Sequence, residues 1–304
     1  MIRPSFSNKD QSPALLREAG LLHHLESLEW NINDTGDLDF DHCDSKEDLP
    51  ETLPKHSTIV GKGCEMIAHA VQHEIKAGKF PLILGGDHSI AAGSLAGILS
   101  VKPNTGIIWV DAHADLNSPQ MSQSGNMHGM PVGLLMKEVM KEEDTSDIPG
   151  FEWMGRSDMK RARLRPDSIV YVGLRDVDPA ERRVIRDLGI RVFTMHDIDR
   201  YGIGEVMDRV LGYLLERQPE RPIHISYDID AVDPVHAPAT GTAVRGGLTY
   251  REAHYVCEAV AKTGTLASAD IVELNPSLAD DEGGRETIEL GLGLITSIMG
   301  KSII

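Results

Sequence analysis

The sequence predicts a three-layer α/β protein, with a central, mostly parallel sheet and helices on both faces. Three observations predict it. Short apolar runs alternate with stretches of helical periodicity along the chain, as in repeated β–α units. The runs are apolar at successive positions, as strands covered on both faces are. Most of them stop at Gly, Asp or Glu, and in such sheets ligands gather beyond the carboxyl ends of the strands.

In chain order, Ser12-Pro13 reads as a helix N-cap and first-turn proline leading into Leu15, Leu16, Ala19 and Leu22 at helical spacing. Asp34 to Pro54 is an acidic stretch with Pro50 and Pro54 at its end, and reads as loop. Ile67, Val71 and Ile75, four apart, predict a helix over about 58–77. Strands are predicted at 81–84, 106–110, 168–172, 191–193, 222–227 and 266–272. Helices are predicted at Pro179–Leu188, Ile203–Glu216, Thr249–Lys262 and Arg285–Met299, and loops at about 118–127 and 141–149. Neither a repeat nor a linker interrupts this pattern, which predicts one domain over residues 1–304.

Composition excludes several function classes. With 30 basic and 47 acidic residues the formal charge is −17, which repels phosphate backbones and argues against a nucleic-acid partner. An acidic surface does suit cations and basic substrates. The three cysteines, Cys43, Cys64 and Cys257, are odd in number and widely separated. They predict neither a disulfide framework nor a thiolate zinc site, but the reduced thiols of a cytoplasmic protein. No apolar run reaches the ~18 residues that span a membrane, and Met1-Ile2-Arg3-Pro4-Ser5 does not open a secretory signal.

The strongest chemical signal is Asp111-Ala112-His113-Ala114-Asp115. Its three polar residues are two apart, so an extended segment points them to one side. They follow directly on an apolar strand. A polar loop with a helix cap is the plain reading of any one of them, but adjacent desolvated carboxylates are costly without a cation. Asp228-Ile229-Asp230, before Asp233-Pro234, repeats the pattern at another strand end, where solvated edge aspartates are the rival reading. Gly85-Gly86-Asp87-His88-Ser89 follows a third strand; His88 alone would read as a surface or capping histidine. Together the segments offer His88, Asp111, His113, Asp115, Asp228 and Asp230, two imidazoles and four carboxylates with no thiolate. Such a set suits hard divalent ions such as Mn2+ and exceeds what one ion needs. Two ions can share carboxylates and activate a water between them as a hydrolytic nucleophile.

These three segments resemble the signatures of the ureohydrolases. Further segments resemble arginase in particular: Asn117-Ser118-Pro119, Ser124-Gly125-Asn126-Met127-His128-Gly129, Gly173-Leu174-Arg175-Asp176-Val177-Asp178-Pro179, Pro238-Ala239-Thr240-Gly241-Thr242 and Glu273-Leu274-Asn275-Pro276. The similarity runs from about residue 13 to the C-terminus. The resemblance implies an arginase-like fold and a homo-oligomer, commonly a trimer and sometimes a hexamer. It implies two Mn2+ per subunit, one held by His88, Asp111, Asp115 and Asp228, the other by Asp111, His113, Asp228 and Asp230. Asp111 and Asp228 would then bridge. The implied substrate is L-arginine, cleaved to L-ornithine and urea by the hydroxide between the ions.

The resemblance also implies the substrate contacts. Glu273 would face the guanidinium, and Asn117 and Ser124 the α-carboxylate. Asp178 would hold the α-ammonium, helped through water by Glu181. Asp178 alone would read as a helix N-terminal carboxylate before Pro179. Thr242 would contact the nucleophile or orient Glu273. Asp115 would pass a proton to the departing amine, and His128 would relay protons. Agmatinase, guanidinobutyrase or a catalytically impaired relative would share much of this pattern; the loop at 117–128 and Asp176-Val177-Asp178-Pro179 favour arginase. One departure stands out. The family's first strand and its Gly-rich loop are largely absent from Met1-Ile2-Arg3-Pro4-Ser5-Phe6-Ser7, so an open sheet edge is expected next to the strand that would pair with it.

Overall fold

The computed structural model describes residues 12–40, 54–141 and 143–302. Six strands form the sheet: β1 Leu82–Leu84, β2 Gly106–Val110, β3 Ile169–Leu174, β4 Arg191–Thr194, β5 Ile223–Asp228 and β6 Leu266–Val272. Their order is β1-β6-β5-β2-β3-β4 and every pairing is parallel. All six lie within a residue or two of the predicted runs.

Alternation along each strand divides the apolar side chains between two cores. Ile107, Trp109, Ile169 and Tyr171 pack on one face with helices α3 Ser57–Lys76 and α4 Ala91–Val101 and with the segment 127–164. That segment carries the short helices α5 Pro131–Leu135 and α6 Lys137–Met140, and α7 Pro179–Leu188 packs at the margin of the same core. Ile108, Val110, Val170 and Val172 face α8 Met195–Leu215, α9 Tyr250–Ala261, α10 Asp281–Ile298, α1 Ser12–Glu18 and α2 Leu21–Ser27. The period-two geometry of a strand sends neighbours to opposite faces, so β2 is buried throughout.

The structure departs from the predicted helices at several points, among them the last helix, which begins at Asp281 rather than Arg285. The N-terminal helix is two pieces, broken at Gly20. The helix predicted from Ile203 begins at Met195, with a non-helical break at Gly202. Helix α4 is absent from the sequence reading because Ala91 to Leu99 are all buried, leaving no polar face to generate a helical period. Its glycines set how closely it lies on α3: a Cβ on Gly93 would stand 2.5 Å from the Cys64 carbonyl oxygen, and one on Gly97 2.6 Å from that of Ala68.

Among the described residues, β1 is an edge strand that pairs only with β6. The expectation drawn from residues 1–7 lies outside the described residues, as does Cys43. Cys64 and Cys257 are buried.

Candidate active site

Every predicted site segment leaves the carboxyl end of a strand. His88 follows β1 and opens a single 3-10 turn, His88–Ile90, whose preceding Asp87 side chain accepts from the Ser89 amide. Asp111 follows β2, Asp228 ends β5 with Asp230 in the turn beyond it, and Glu273 follows β6. Asp176 and Asp178 follow β3. These strands are consecutive neighbours in the sheet, so topology gathers segments that are distant in sequence. Gly173 makes the approach of β3 to β2 possible. It sits at an irregularity in the β3–β4 register with φ 97°, and a Cβ there would press on the Asp111 carbonyl oxygen at 3.2 Å.

The six predicted ligands converge. His88 Nδ1 lies 3.0 Å from Asp111 Oδ2, 3.1 Å from Asp115 Oδ2 and 3.2 Å from Asp228 Oδ2. His113 Nδ1 lies 3.0 Å from Asp230 Oδ2 and 3.4 Å from Asp111 Oδ1. Two compact ligand groups result, His88/Asp111/Asp115 and Asp111/His113/Asp230, with Asp111 common to both. Asp228 touches the first group through His88. Local hydrogen bonds fix the carboxylates: Asp111 Oδ1 accepts from the His113 amide at 2.7 Å, Asp228 Oδ1 from the Asp230 amide at 2.8 Å, and Asp230 Oδ1 from the Ala112 amide at 3.2 Å. Trp109 donates its indole N–H to Asp111 Oδ2 at 2.9 Å, and its ring stacks on His88 with centroids 4.1 Å apart.

The electrostatics call for added positive charge. Burial, reinforced by neighbouring carboxylates, raises the pKa values of Asp115, Asp228 and Asp230. Burial also disfavours the His113 cation, but Asp111 and Asp230 outweigh it and push its pKa up to about 12. The protein alone therefore retains protons in the cluster. A divalent ion replaces such protons, and four carboxylates match the charge of two divalent ions. The buried Nδ1 of His88 makes no hydrogen bond of acceptable geometry although three carboxylate oxygens surround it. That arrangement fits a metal ligand, and the oxygen-rich, thiolate-free donor set fits Mn2+.

A pH dependence follows. In the metal-free protein these raised pKa values make the folded state bind more protons than the unfolded chain, so stability is lost as pH rises through them. Metal binding releases the same protons. The increase in Tm on adding Mn2+ should therefore grow as pH rises from the ordinary histidine value of about 6.5 toward the raised value of His113, about 12. Thermal melts with and without Mn2+ at several pH values measure it; a pH-independent shift would contradict the cluster as ligand set.

A cavity of about 170 Å3 opens onto the cluster and is lined by His88, His113, Asp115, Asn117, Ser124, His128, Asp178, Glu181, Asp228, Thr242 and Glu273. Asp111 and Asp230 join it through His88 and His113. Asp115 and Glu273 both have left-handed backbones, at φ 48° and 63°, a strain of roughly 1–3 kcal/mol each for non-glycine residues. Glu273 Oε1 accepts from the His88 amide at 2.8 Å, and burial together with the Asp87 charge raises its pKa well above the usual range. Thr242 donates to Asp230 Oδ2 at 2.8 Å. Asn117 donates from Nδ2 to Asp178 Oδ2 at 3.2 Å, while its buried Oδ1 has no hydrogen-bond partner. Both carboxylate oxygens of Glu181 are engaged, by the Leu116 amide at 2.8 Å and the Asp178 amide at 3.0 Å. Glu181 thus ties the start of α7 to the loop after β2, and burial pushes its pKa up to about 7.

Two polar side chains on the cavity wall, those of Ser122 and Asp176, were not predicted. Each stands two positions before a predicted residue, Ser124 and Asp178, and that spacing was an available signal. The residues behind His88 were missed as well: Trp109, Ser226, His224 and Asp270. For His224, Ser226 and Asp270 the signal was polarity at alternate positions of otherwise apolar strands.

Comparison with known proteins gives the family of the chain. The model of the Arginase family matches residues 7–300. Human arginase-1 is 47% identical over 269 residues, which is 88% of this chain and 80% of that one. The native arginase structure from Bacillus caldovelox superposes with a TM-score of 0.85 at 36% identity, covering 97% of this chain and 93% of the other. The Entamoeba histolytica arginase in complex with L-ornithine has a TM-score of 0.78 at 28% identity, covering 96% and 92%. The chain belongs to the arginase family.

Proposed function

We propose that this protein hydrolyses the guanidinium of L-arginine to give L-ornithine and urea, with two Mn2+ ions per subunit, and that the chain is one catalytic domain. The observation that carries the reading is the pair of buried ligand groups sharing Asp111 at the end of a cavity lined by Asn117, Ser124, Asp178 and Glu273. Family membership and the curated arginases among its relatives support the substrate. His88, Asp111, Asp115 and Asp228 would hold one ion, and Asp111, His113, Asp228 and Asp230 would hold the other. When bound, the two ions supply a water that ionises near neutral pH and the electrostatic stabilisation of charge developing at the guanidinium.

The chain's own residues do the rest. Glu273, with Oε1 on the His88 amide, presents its carboxylate to the planar guanidinium N–H groups, a geometry suited to paired charge-assisted hydrogen bonds. This holds the guanidinium carbon over the cluster. Asn117 and Ser124 bind the α-carboxylate with neutral donors. Asp178 binds the α-ammonium, and Glu181 holds Asp178 in place from behind. Thr242 donates to the oxygen of Asp230 that faces His113 and holds it in place. Asp115 carries a proton to the departing nitrogen, and His128, on the cavity wall, exchanges protons with solvent. Among the described residues no helix is long and apolar enough to cross a membrane. A cytoplasmic homotrimer completes the proposal.

Urea release from arginine, measured with and without Mn2+ after chelation, tests the reading. Chelation should abolish turnover and Mn2+ restore it. Agmatine, which lacks the α-carboxylate, and 4-guanidinobutyrate, which lacks the α-ammonium, should both be poorer substrates; faster turnover of either one overturns the choice of arginine. Asp178→Ala should raise KM for arginine by about 10–100-fold, the loss of a charge-assisted contact, with bound Mn2+ unchanged. It should also narrow the preference for arginine over 4-guanidinobutyrate, and an unchanged KM would remove Asp178 from the substrate site.

A further inference from the structure

Behind the cluster, β5 and β6 carry a ladder of polar residues in the middle of the sheet. His224 and Ser226 lie on the same face of β5 as the ligand Asp228, each two residues from the next. Across the strand pair His224 is opposite Ser268, Ser226 opposite Asp270 and Asp228 opposite Val272. His224, Ser226, Ser268 and Asp270 are fully buried. An anionic carboxylate in such a place is costly unless every oxygen is satisfied, and here each is. Asp270 Oδ1 accepts from the Ser226 hydroxyl at 2.5 Å, and Oδ2 accepts from the Ser94 hydroxyl at 2.8 Å and from His224 Nε2 at 3.2 Å. His224 Nδ1 lies 2.9 Å from the Ser268 hydroxyl.

The ladder ends on a metal-ligand candidate. Ser226 Oγ lies 2.9 Å from His88 Nε2, the nitrogen opposite the one that faces Asp111, Asp115 and Asp228. With its only proton committed to Asp270, the Ser226 hydroxyl has a lone pair left for His88. It therefore selects the tautomer with the proton on Nε2, which leaves the Nδ1 lone pair facing the cluster. A partner on the remote nitrogen fixes the ring plane of a ligating imidazole and raises its basicity. Trp109, stacked on the His88 ring, contributes packing but has its own N–H engaged by Asp111. Tautomer selection is left to Ser226 and to what orients Ser226.

We infer that Asp270, braced by His224 and Ser94, is a positioning residue that acts through Ser226 to set His88 as a ligand, and so governs the affinity of the His88-side metal site selectively. The inference rests on the two-ion reading of the cluster. The group Asp111/His113/Asp230 has no hydrogen bond to the ladder, so its ion should be largely indifferent to Asp270.

Calorimetric titration of the metal-free full-length protein with Mn2+ tests this. Wild type should show two binding events. Asp270→Asn, close to isosteric but uncharged, should weaken one of them by about 10–100-fold, the usual effect of losing a partner behind a metal ligand, and change the other by no more than about twofold. Ser226→Ala should weaken the same event. The double variant should be no weaker than Ser226→Ala alone, because Asp270 has nothing left to act through. A merely structural role would instead lower both affinities, or give additive losses in the double variant, and either result overturns the inference. So does an Asp270→Asn titration indistinguishable from wild type. If circular dichroism shows that Asp270→Asn does not fold, His224→Gln must weaken the same event, and an unchanged titration of that variant overturns the inference. A wild-type protein that takes up no Mn2+ at all would defeat the two-ion reading itself, a result distinct from any of these.

Discussion

Asp111→Ala is expected to abolish hydrolysis and to deplete both ions at once. Asp111 is the residue common to the two ligand groups; one oxygen lies beside His88 and the other beside His113. Its removal leaves each group a ligand short and takes away a carboxylate able to hold the ions together. The fall in urea release should be on the order of 10^3-fold or more, because the activated water and the electrostatic stabilisation are lost together. Asp115→Ala provides the contrast. Asp115 belongs to the His88 group alone, so that variant should lose turnover while retaining about one ion. Metal content after Mn2+ incubation and gel filtration separates the two variants. Near-normal content and activity in Asp111→Ala would sink the shared-ligand assignment. Asp111 also accepts from the Trp109 indole and the His113 amide, so circular dichroism of both variants is needed to separate loss of metal from loss of fold.

Glu273→Gln is expected to separate substrate binding from metal binding. Glutamine can still accept the His88 amide hydrogen bond that Glu273 Oε1 now accepts at 2.8 Å, so the start of the 3-10 turn should hold. What disappears is the negative charge facing the guanidinium. Leaving a buried charge without its partner costs about 3–5 kcal/mol, which corresponds to a fall in kcat/KM of roughly 10^2–10^4-fold. Mn2+ content and melting behaviour should stay close to wild type. A variant with kcat/KM within a few-fold of wild type would show that Glu273 does not face the guanidinium; one that loses metal would show that its main task is to support His88.

The two expectations differ in how legible their residues were. The ligands of the Asp111 segment could be read directly, because Asp-x-His-x-Asp behind an apolar strand makes sense chemically with few alternatives. The strands themselves were equally plain. β2 is Gly-Ile-Ile-Trp-Val, ending where Asp111 begins, and an uninterrupted apolar run of that length has few places to go but the middle of a covered sheet. Helix α4 was not legible for the same reason in reverse: complete burial erases the period by which a helix is recognised. Glu273 and Asp178 were legible only through resemblance, since a lone acid after a strand or before a helix proline has ordinary structural explanations.

The sequence by itself determined the ligand types, their spacing within each segment and their position at strand ends, because those are local properties of a chain with a two-residue strand period. Only the tertiary structure decided which segments meet. The order β1-β6-β5-β2-β3 sets His88 beside Asp111 and Asp228 and makes Asp111 common to the two groups able to hold a metal. It also set the Glu181 carboxylate on two backbone amides, and placed Asp270 behind Ser226 and His88. These are pairings across strands far apart in sequence, fixed by sheet order and register, and local periodicity carries no information about either.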